Sequence, residues 1–338
     1  MAPTNKAAYI TEPKGRPVKV DSASYPTAGD SEVIVKVAAA AFNPVDWMIQ
    51  ILGEQLFNFI KYPFIGGTDV AGTVVEVGPN VSKFKVGDRV LGLADGFESQ
   101  AGAFQNYVSL KVGLTAPIPD DLDFNDASVI PLGLCTAASG LFQKDFLGLD
   151  HPTVSPKSNG KTVLIWAGSS SVGACAIQMT VAAGYEVYTT SSPKNFDFCK
   201  KLGASRVFDY KSSTIVQDLM EAFKGKTCAG AYAIYPDSEK TVFEVVSKVE
   251  GAKFVACAFP PTDIPEGIQA KMVWGSSLKD NEVGPAIFDK YLPAALVQKK
   301  FQCLPKPRVV GHGLEHVQAA LDIGAAGGLS AEKLVITL

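Results

Sequence analysis

A chain of 338 residues, 47% of them hydrophobic and with a formal net charge of −3, is long enough to bury two substantial cores. Its 31 basic and 34 acidic side chains form no basic block, which argues against nucleic acid or an anionic membrane surface as partner. Residues 1–6 carry no apolar signal region, and no apolar run approaches the roughly eighteen residues of a membrane span, so a soluble, cytoplasmic protein is expected.

Residues 6–40 alternate as strands do. Ala7–Ile10 and Val33–Val37 are rich in β-formers and are broken by Pro, Gly and Asp. No helical period appears until about residue 43. Between 64 and 110, short strands at 71–78, 86–92 and 102–108 alternate with glycine turns, the pattern of a small, mostly antiparallel, barrel-like domain. Composition shifts near residue 125: 128–142 is apolar with helical spacing, and a polar, Pro-bearing connector covers 148–160.

From Lys161 the rhythm becomes strand–helix repeated. Strands are expected at 162–166, 185–190, 206–209, 229–234, 252–258 and 271–275, and helices at 172–183, 194–202, 212–224 and 239–249. Such alternation implies a parallel sheet covered on both faces. The tail resumes with a helix at 314–323 and a strand at 333–337, expected to return to the first domain. The expected division is therefore 1–127, 128–295 and 296–338, the last segment rejoining the first.

The sharpest chemistry lies where Lys161–Trp166 runs into Ala167-Gly-Ser-Ser-Ser-Val-Gly173 and then an apolar helix. The turn reads Gly168-x-Ser170-x-x-Gly173, a dinucleotide fingerprint with Ser at its middle position. Backbone N–H groups over Gly168, Ser169, Ser170, Ser171, Val172 and Gly173, at the positive end of a helix, suit a pyrophosphate. About twenty residues beyond Gly168, an NAD-binding unit carries an acid for the ribose hydroxyls. Here the chain reads Ser191, Ser192, Pro193, Lys194 and Asn195. Hydroxyls, an amide and an ammonium suit a 2′-phosphate, so NADPH is the expected cofactor; the alternative is that Lys194 merely opens the next helix.

Six cysteines, Cys135, Cys175, Cys199, Cys228, Cys257 and Cys303, include no Cys-x-x-Cys and form neither a disulfide framework nor a zinc ribbon. His312 and His316 are spaced as a helical metal pair would be, but Gly313 between them favours a structural reading, as the polar connector does for His151.

Ala40-Ala-Phe-Asn43-Pro-Val-Asp46-Trp47, Pro63-Phe-Ile-Gly-Gly-Thr68-Asp69-Val-Ala-Gly72 and Val86-Gly-Asp-Arg-Val90, together with the nucleotide turn, resemble the medium-chain dehydrogenase/reductase superfamily from about residue 6 to Leu338. The resemblance implies a Rossmann-type, doubly wound parallel sheet joined to a GroES-like, mostly antiparallel β-barrel. In the zinc alcohol dehydrogenases of that superfamily, a Cys holds the place of Asn43 and a His that of Thr68, and a cysteine-rich lobe follows the position of Gly92. This chain has none of these, and an amide and a hydroxyl do not replace thiolate and imidazole as zinc ligands. It is therefore similar to the zinc-free quinone oxidoreductases and enoyl reductases. Ser191–Asp197, Val207-Phe-Asp-Tyr210 and Leu329-Ser-Ala-Glu-Lys-Leu-Val335 look most like fungal reductases, among them the trans-acting enoyl reductases that serve polyketide synthases. Met48 stands where those enzymes carry Lys, which favours a small free enone or quinone over a carrier-bound substrate.

The resemblance implies hydride transfer from NADPH to a conjugated C=C bond or a quinone ring. Asn43 is expected beside the nicotinamide, donating to a substrate carbonyl or the ribose, with Thr136 against the same ring and Tyr210 near the adenosine phosphate. Ala258 and Phe259 complete the cofactor set, and Trp47, Met48 and Tyr62 the substrate pocket, with either Tyr62 or solvent the proton donor. Phe42, Phe57 and Phe59 are either pocket wall or plain core, and residues 92–102 a loop over the pocket's mouth. Asp46 and Asp69 are read as loop supports that accept backbone N–H bonds, not as a paired-carboxylate centre. A metal-free carbonyl reductase and a non-catalytic NADPH-binding protein remain the alternatives, as do a monomer and a homodimer.

Overall fold

The strand–helix alternation beyond Lys161 builds six strands, every neighbouring pair parallel, in a computed structural model that describes residues 3–95, 97 and 101–338. Across the sheet they lie in the order Arg206–Asp209, Glu186–Ser191, Lys161–Ile165, Thr227–Ala233, Phe254–Cys257 and Gln269–Met272. This is the doubly wound order, which reverses direction at Lys161–Ile165. The strands are apolar without alternation because both faces are covered: Val163, Leu164 and Ile165 are all fully buried. Helix Ser171–Ala182 is buried from Gly173 to Thr180, whereas Ser238–Lys248 buries one stripe, including Val242, Phe243, Val245 and Val246.

The chain separates into two compact units, Gly133–Gln302 and Met1–Leu132 with Cys303–Leu338. Changes of domain expected after 127 and 295 compare with divisions at Leu132/Gly133 and Gln302/Cys303. The reason is local. Pro131–Phe142 forms a single helix, and Gln178 brackets Gln302, donating from Nε2 to its carbonyl at 3.1 Å and accepting its N–H at 2.8 Å.

In the first unit a seven-stranded sheet runs Lys306–His312, Glu332–Thr337, Glu32–Ala41, Asp69–Val77, Arg89–Leu93 and Thr115–Pro117, with Tyr107–Lys111 also paired to Glu32–Ala41. All its pairings are antiparallel except that of Lys306–His312 with Glu332–Thr337. The tail does return here: Val335 lies opposite Ala41 and Thr337 opposite Ala39. A second, three-stranded sheet joins Lys19–Ala23, Asn5–Ile10 and Phe64–Ile65. Val35, Val70, Val90, Leu110 and Ile336 belong to the core of this unit.

The strand Lys306–His312 escapes the sequence reading because Pro307 and Gly311 make it look like a loop; as an edge strand it tolerates the proline. His312 ends that strand, its Nδ1 3.0 Å from Thr337 Oγ1, and His316 lies in the following 3₁₀ turn, so no helix carries both histidines. His151 stands edge-on to Phe142. None of the six cysteines is in a disulfide, and burial pushes Cys199 up to about 11 and Cys257 and Cys303 up to about 12. Among the described residues no helix is long and apolar enough to cross a membrane, and no group of three or more His, Cys, Asp or Glu side chains is placed to hold a metal ion.

Candidate active site

The nucleotide turn is held by its own side chains. Ala167 adopts a left-handed φ of 65°, and its carbonyl accepts the Ser170 hydroxyl at 2.8 Å and the Ser170 N–H at 3.0 Å. Ser170 then caps helix Ser171–Ala182, its Oγ accepting the Gly173 N–H at 3.0 Å. That explains the serine at the middle position of the fingerprint, where a hydroxyl is needed to cap the helix. The flanking glycines are required by packing. A Cβ on Gly168 would stand 2.2 Å from Thr189 Oγ1, and one on Gly173 would stand 2.2 Å from the Ala167 carbonyl oxygen. The helix can begin against the turn only because both positions lack a side chain, so this cradle fits a bound dinucleotide.

At the end of strand Glu186–Ser191 the expected phosphate contacts separate into two groups. Asn195 Nδ2 lies 3.3 Å from both Ser169 Oγ and Ser192 Oγ, tying the turn to the strand end, and Lys194 is exposed beside them. Ser191 does not join this group. It is 2% exposed and its hydroxyl donates to the Ser192 carbonyl at 3.1 Å, because it is the last residue of a strand that the sheet buries on both faces. Tyr210 is exposed one residue beyond strand Arg206–Asp209. The Ala258 N–H is used within the sheet, donating to the Ala233 carbonyl at 2.9 Å, while Phe259 is half-buried. Thr136 sits in helix Pro131–Phe142. Its carbonyl accepts the hydroxyl of the buried Tyr232 at 2.6 Å, and Gly275 packs against its side chain.

The first unit contains a buried polar cluster built on Asn43. Pro44 starts helix Pro44–Leu52, and Asp46 reaches back to accept the Asn43 N–H at 2.7 Å. Asn43 Nδ2 donates to Thr68 Oγ1 at 2.9 Å and to Asp69 Oδ2 at 3.0 Å. Lys333 Nζ donates to Asn43 Oδ1 at 2.9 Å and to Asp69 Oδ2 at 2.5 Å, and the other Asp69 oxygen accepts the Leu132 N–H at 2.6 Å. Water scarcely reaches any of them: Asp69 is 0% exposed, Asn43, Asp46 and Lys333 3%, and Thr68 5%. The two carboxylates do support loops through N–H bonds, as expected. Both hydrogens of the Asn43 amide, expected to face a substrate carbonyl or a ribose, are directed here at Thr68 and Asp69.

Burial raises the Asp46 carboxyl to about 7; the nearby Asp69 adds to the rise, while the N–H groups of Asn43 and Gly67 and the Lys333 ammonium oppose it. The folded state thus holds this proton more tightly than the unfolded chain. Its stabilising contribution is complete below the ordinary value of 3.8 and is lost as pH rises towards about 7. Relative to Asp46→Asn, the native protein is expected to lose stability from pH 4 to 7 by up to about 1.4 kcal/mol per pH unit in urea denaturation. A constant difference across that range would show that the carboxyl does not titrate there.

The aromatic residues resolve mostly as core. Phe42 stacks on Phe104 at 4.5 Å, and Phe57 packs with Ile10, Ile49, Ile60 and Phe64. Trp47 lies over Gly324, where a Cβ would come within 2.4 Å of its ring, so it packs on helix Val317–Ala326 while remaining partly exposed. Met48 and Tyr62 border the Phe57 group, and the buried Tyr62 hydroxyl has no hydrogen-bond partner among the described residues. Burial and then Glu54 raise the Tyr62 phenol, making it a weaker acid. Phe59 is 51% exposed. The loop expected at 92–102 includes Gly96 and residues 98–100, which lie outside the described residues.

Two family models match, the alcohol dehydrogenase GroES-like domain over residues 29–120 and the zinc-binding dehydrogenase over 171–279. Dehydrogenase azaJ of Aspergillus niger is 49% identical over 347 residues, covering 99% of both chains. The chain belongs to the medium-chain dehydrogenase/reductase superfamily. It is also 38% identical over 343 residues to trans-enoyl reductase himH of Aspergillus japonicus, covering 99% of this chain and 97% of that protein. An alcohol dehydrogenase superfamily protein from Novosphingobium aromaticivorans superposes with a TM-score of 0.80 at 25% identity, covering 99% of this chain and 100% of the other. As a medium-chain dehydrogenase/reductase the chain is an oxidoreductase. The residue of this oxidoreductase that sequence reasoning missed is Lys333. Its signal was present: a lysine in the otherwise apolar centre of strand Glu332–Thr337, in register with buried Val335.

Proposed function

We propose that this oxidoreductase uses NADPH to reduce a conjugated C=C bond of an enone or enoyl compound, or a quinone, without a metal ion. The observation that carries the reading is the donor set around Asn43. An amide and a hydroxyl stand where zinc relatives present thiolate and imidazole, and a buried ammonium donates to Asn43 and Asp69. That ammonium occupies the very oxygens a cation would seek and repels a second positive charge. The likeness to trans-enoyl reductase himH supports an enoyl substrate. The bound cofactor would supply the hydride. Ser170 and Gly173 hold the turn that receives its pyrophosphate, and Ser169, Ser192, Lys194 and Asn195 surround the place of an added phosphate.

NADPH oxidation measured against a panel of enones, quinones and saturated aldehydes tests the reading. Enones or quinones are expected to be reduced, at rates a chelator leaves unchanged, by protein containing no stoichiometric zinc. Turnover confined to saturated aldehydes would make it a carbonyl reductase instead. Lys194→Ala is expected to weaken NADPH about tenfold and NADH hardly at all, since it removes one charge-assisted contact. Equal losses for the two cofactors would remove the 2′-phosphate from the argument.

A further inference from the structure

Lys333 and Thr68 enter the proposed function only as groups that exclude a metal ion, and both are bonded to Asn43. An ammonium has donors and no acceptor, so Lys333 compels Asn43 to present Oδ1 to it. The amide nitrogen must then face Thr68 and Asp69, at 2.9 and 3.0 Å. Its hydrogen fills a lone pair of Thr68 Oγ1, and the Thr68 hydroxyl hydrogen is turned away from Asn43. Asp69 does not take that hydrogen: its one oxygen is bonded by Lys333 and Asn43 and its other by the Leu132 N–H, and neither is hydrogen-bonded to Thr68. Thr68 makes no other side-chain hydrogen bond among the described residues, and it is the least buried member of the cluster.

We infer that Thr68 is the hydrogen-bond donor to the carbonyl oxygen of an α,β-unsaturated substrate or to a quinone oxygen, and that Lys333 is the positioning residue that aims it through Asn43. The inference rests on the reading above only in taking a substrate that carries such an oxygen. Hydride addition at the β-carbon moves the alkene pair towards that oxygen, where the negative charge of an enolate collects. The Thr68 hydroxyl stabilises that charge by a hydrogen bond without giving up its proton. Both amide hydrogens of Asn43 are spent on Thr68 and Asp69, and two of the three ammonium hydrogens of Lys333 are spent on Asn43 and Asp69, which leaves the Thr68 hydroxyl as the hydroxyl donor of the cluster.

The probe is 4-(dimethylamino)cinnamaldehyde, whose absorption band moves to longer wavelength as its carbonyl is polarised, added to the full-length protein with oxidised cofactor so that nothing turns over. The band is expected to shift with the native protein and, to nearly the same extent, with Thr68→Ser. It should not shift with Thr68→Val, nor with the paired variant Lys333→Met/Asp69→Asn, which removes the ammonium without leaving a lone carboxylate. In steady-state reduction of an enone, Thr68→Val should lower kcat about a hundredfold with the KM for NADPH unchanged. Adding Lys333→Met/Asp69→Asn to Thr68→Val should cost little more, because a residue that acts through Thr68 has nothing left to aim. Cooperative unfolding of each variant confirms that it is folded. An unshifted band with the native protein, an equal shift with Thr68→Val, or losses that simply add would each overturn the inference. A native protein that shifts the band yet reduces no enone or quinone would instead remove the proposed function and leave Thr68 its role.

Discussion

Lys333→Met unfolds at a markedly lower denaturant concentration than the native protein, with a loss of about 3–5 kcal/mol. The substitution keeps the length and apolar stem of the side chain, so it opens little cavity; what it removes is the charge. Asp69 is then left 0% exposed with no cation beside it, keeping only the Leu132 N–H and one hydrogen of the Asn43 amide. Uncompensated burial of a carboxylate is among the few single changes that cost this much. Asn43 Oδ1 loses its donor as well. Adding Asp69→Asn should restore most of the loss, because a neutral amide still accepts the Leu132 N–H and no charge remains buried. Equilibrium urea unfolding of the two variants beside the native protein measures both effects. A single variant with the native midpoint would mean that the ammonium contributes nothing to holding Asp69.

Gly173→Ala should weaken both NADPH and NADH by more than about tenfold. The added methyl would stand 2.2 Å from the Ala167 carbonyl oxygen, an atom of the backbone that no rotamer change can move aside. Relief requires the start of helix Ser171–Ala182 to draw away from the turn. That breaks the bond from the Gly173 N–H to Ser170 Oγ and costs about 1 kcal/mol of capping on top of about 1–3 kcal/mol of overpacking. The turn is expected to open for either cofactor, whereas Lys194→Ala is expected to affect NADPH alone. Titration of each variant with each cofactor, followed by nicotinamide fluorescence or calorimetry, separates the two effects. Native affinity in Gly173→Ala would show that the turn does not hold the cofactor.

What the sequence determines by itself is local and periodic. The alternation of apolar strands and helical segments from 161 onward dictates a parallel sheet, since neither element can leave both of its faces in water. Serine before a helix and glycine inside a tight turn announce the nucleotide cradle, because capping and close approach depend on side chains within a few residues. The aromatic residues Phe42 and Phe57 carried no such periodicity, and only their neighbours in the fold made them core. Ser191 and Ser192 look alike in the chain; the strand, buried on both faces, ends at Ser191 and leaves Ser192 in the following turn beside Asn195. The largest difference is at Asn43, whose residue type pointed to a free hydrogen-bond donor. Lys333 lies 290 positions away in the sequence, and the pairing of Glu332–Thr337 with Glu32–Ala41 brings its ammonium to the amide. Which hydrogens remain to be donated is thus decided by a charge delivered across a sheet, and tertiary pairing of that kind leaves no mark on the spacing of residues around position 43.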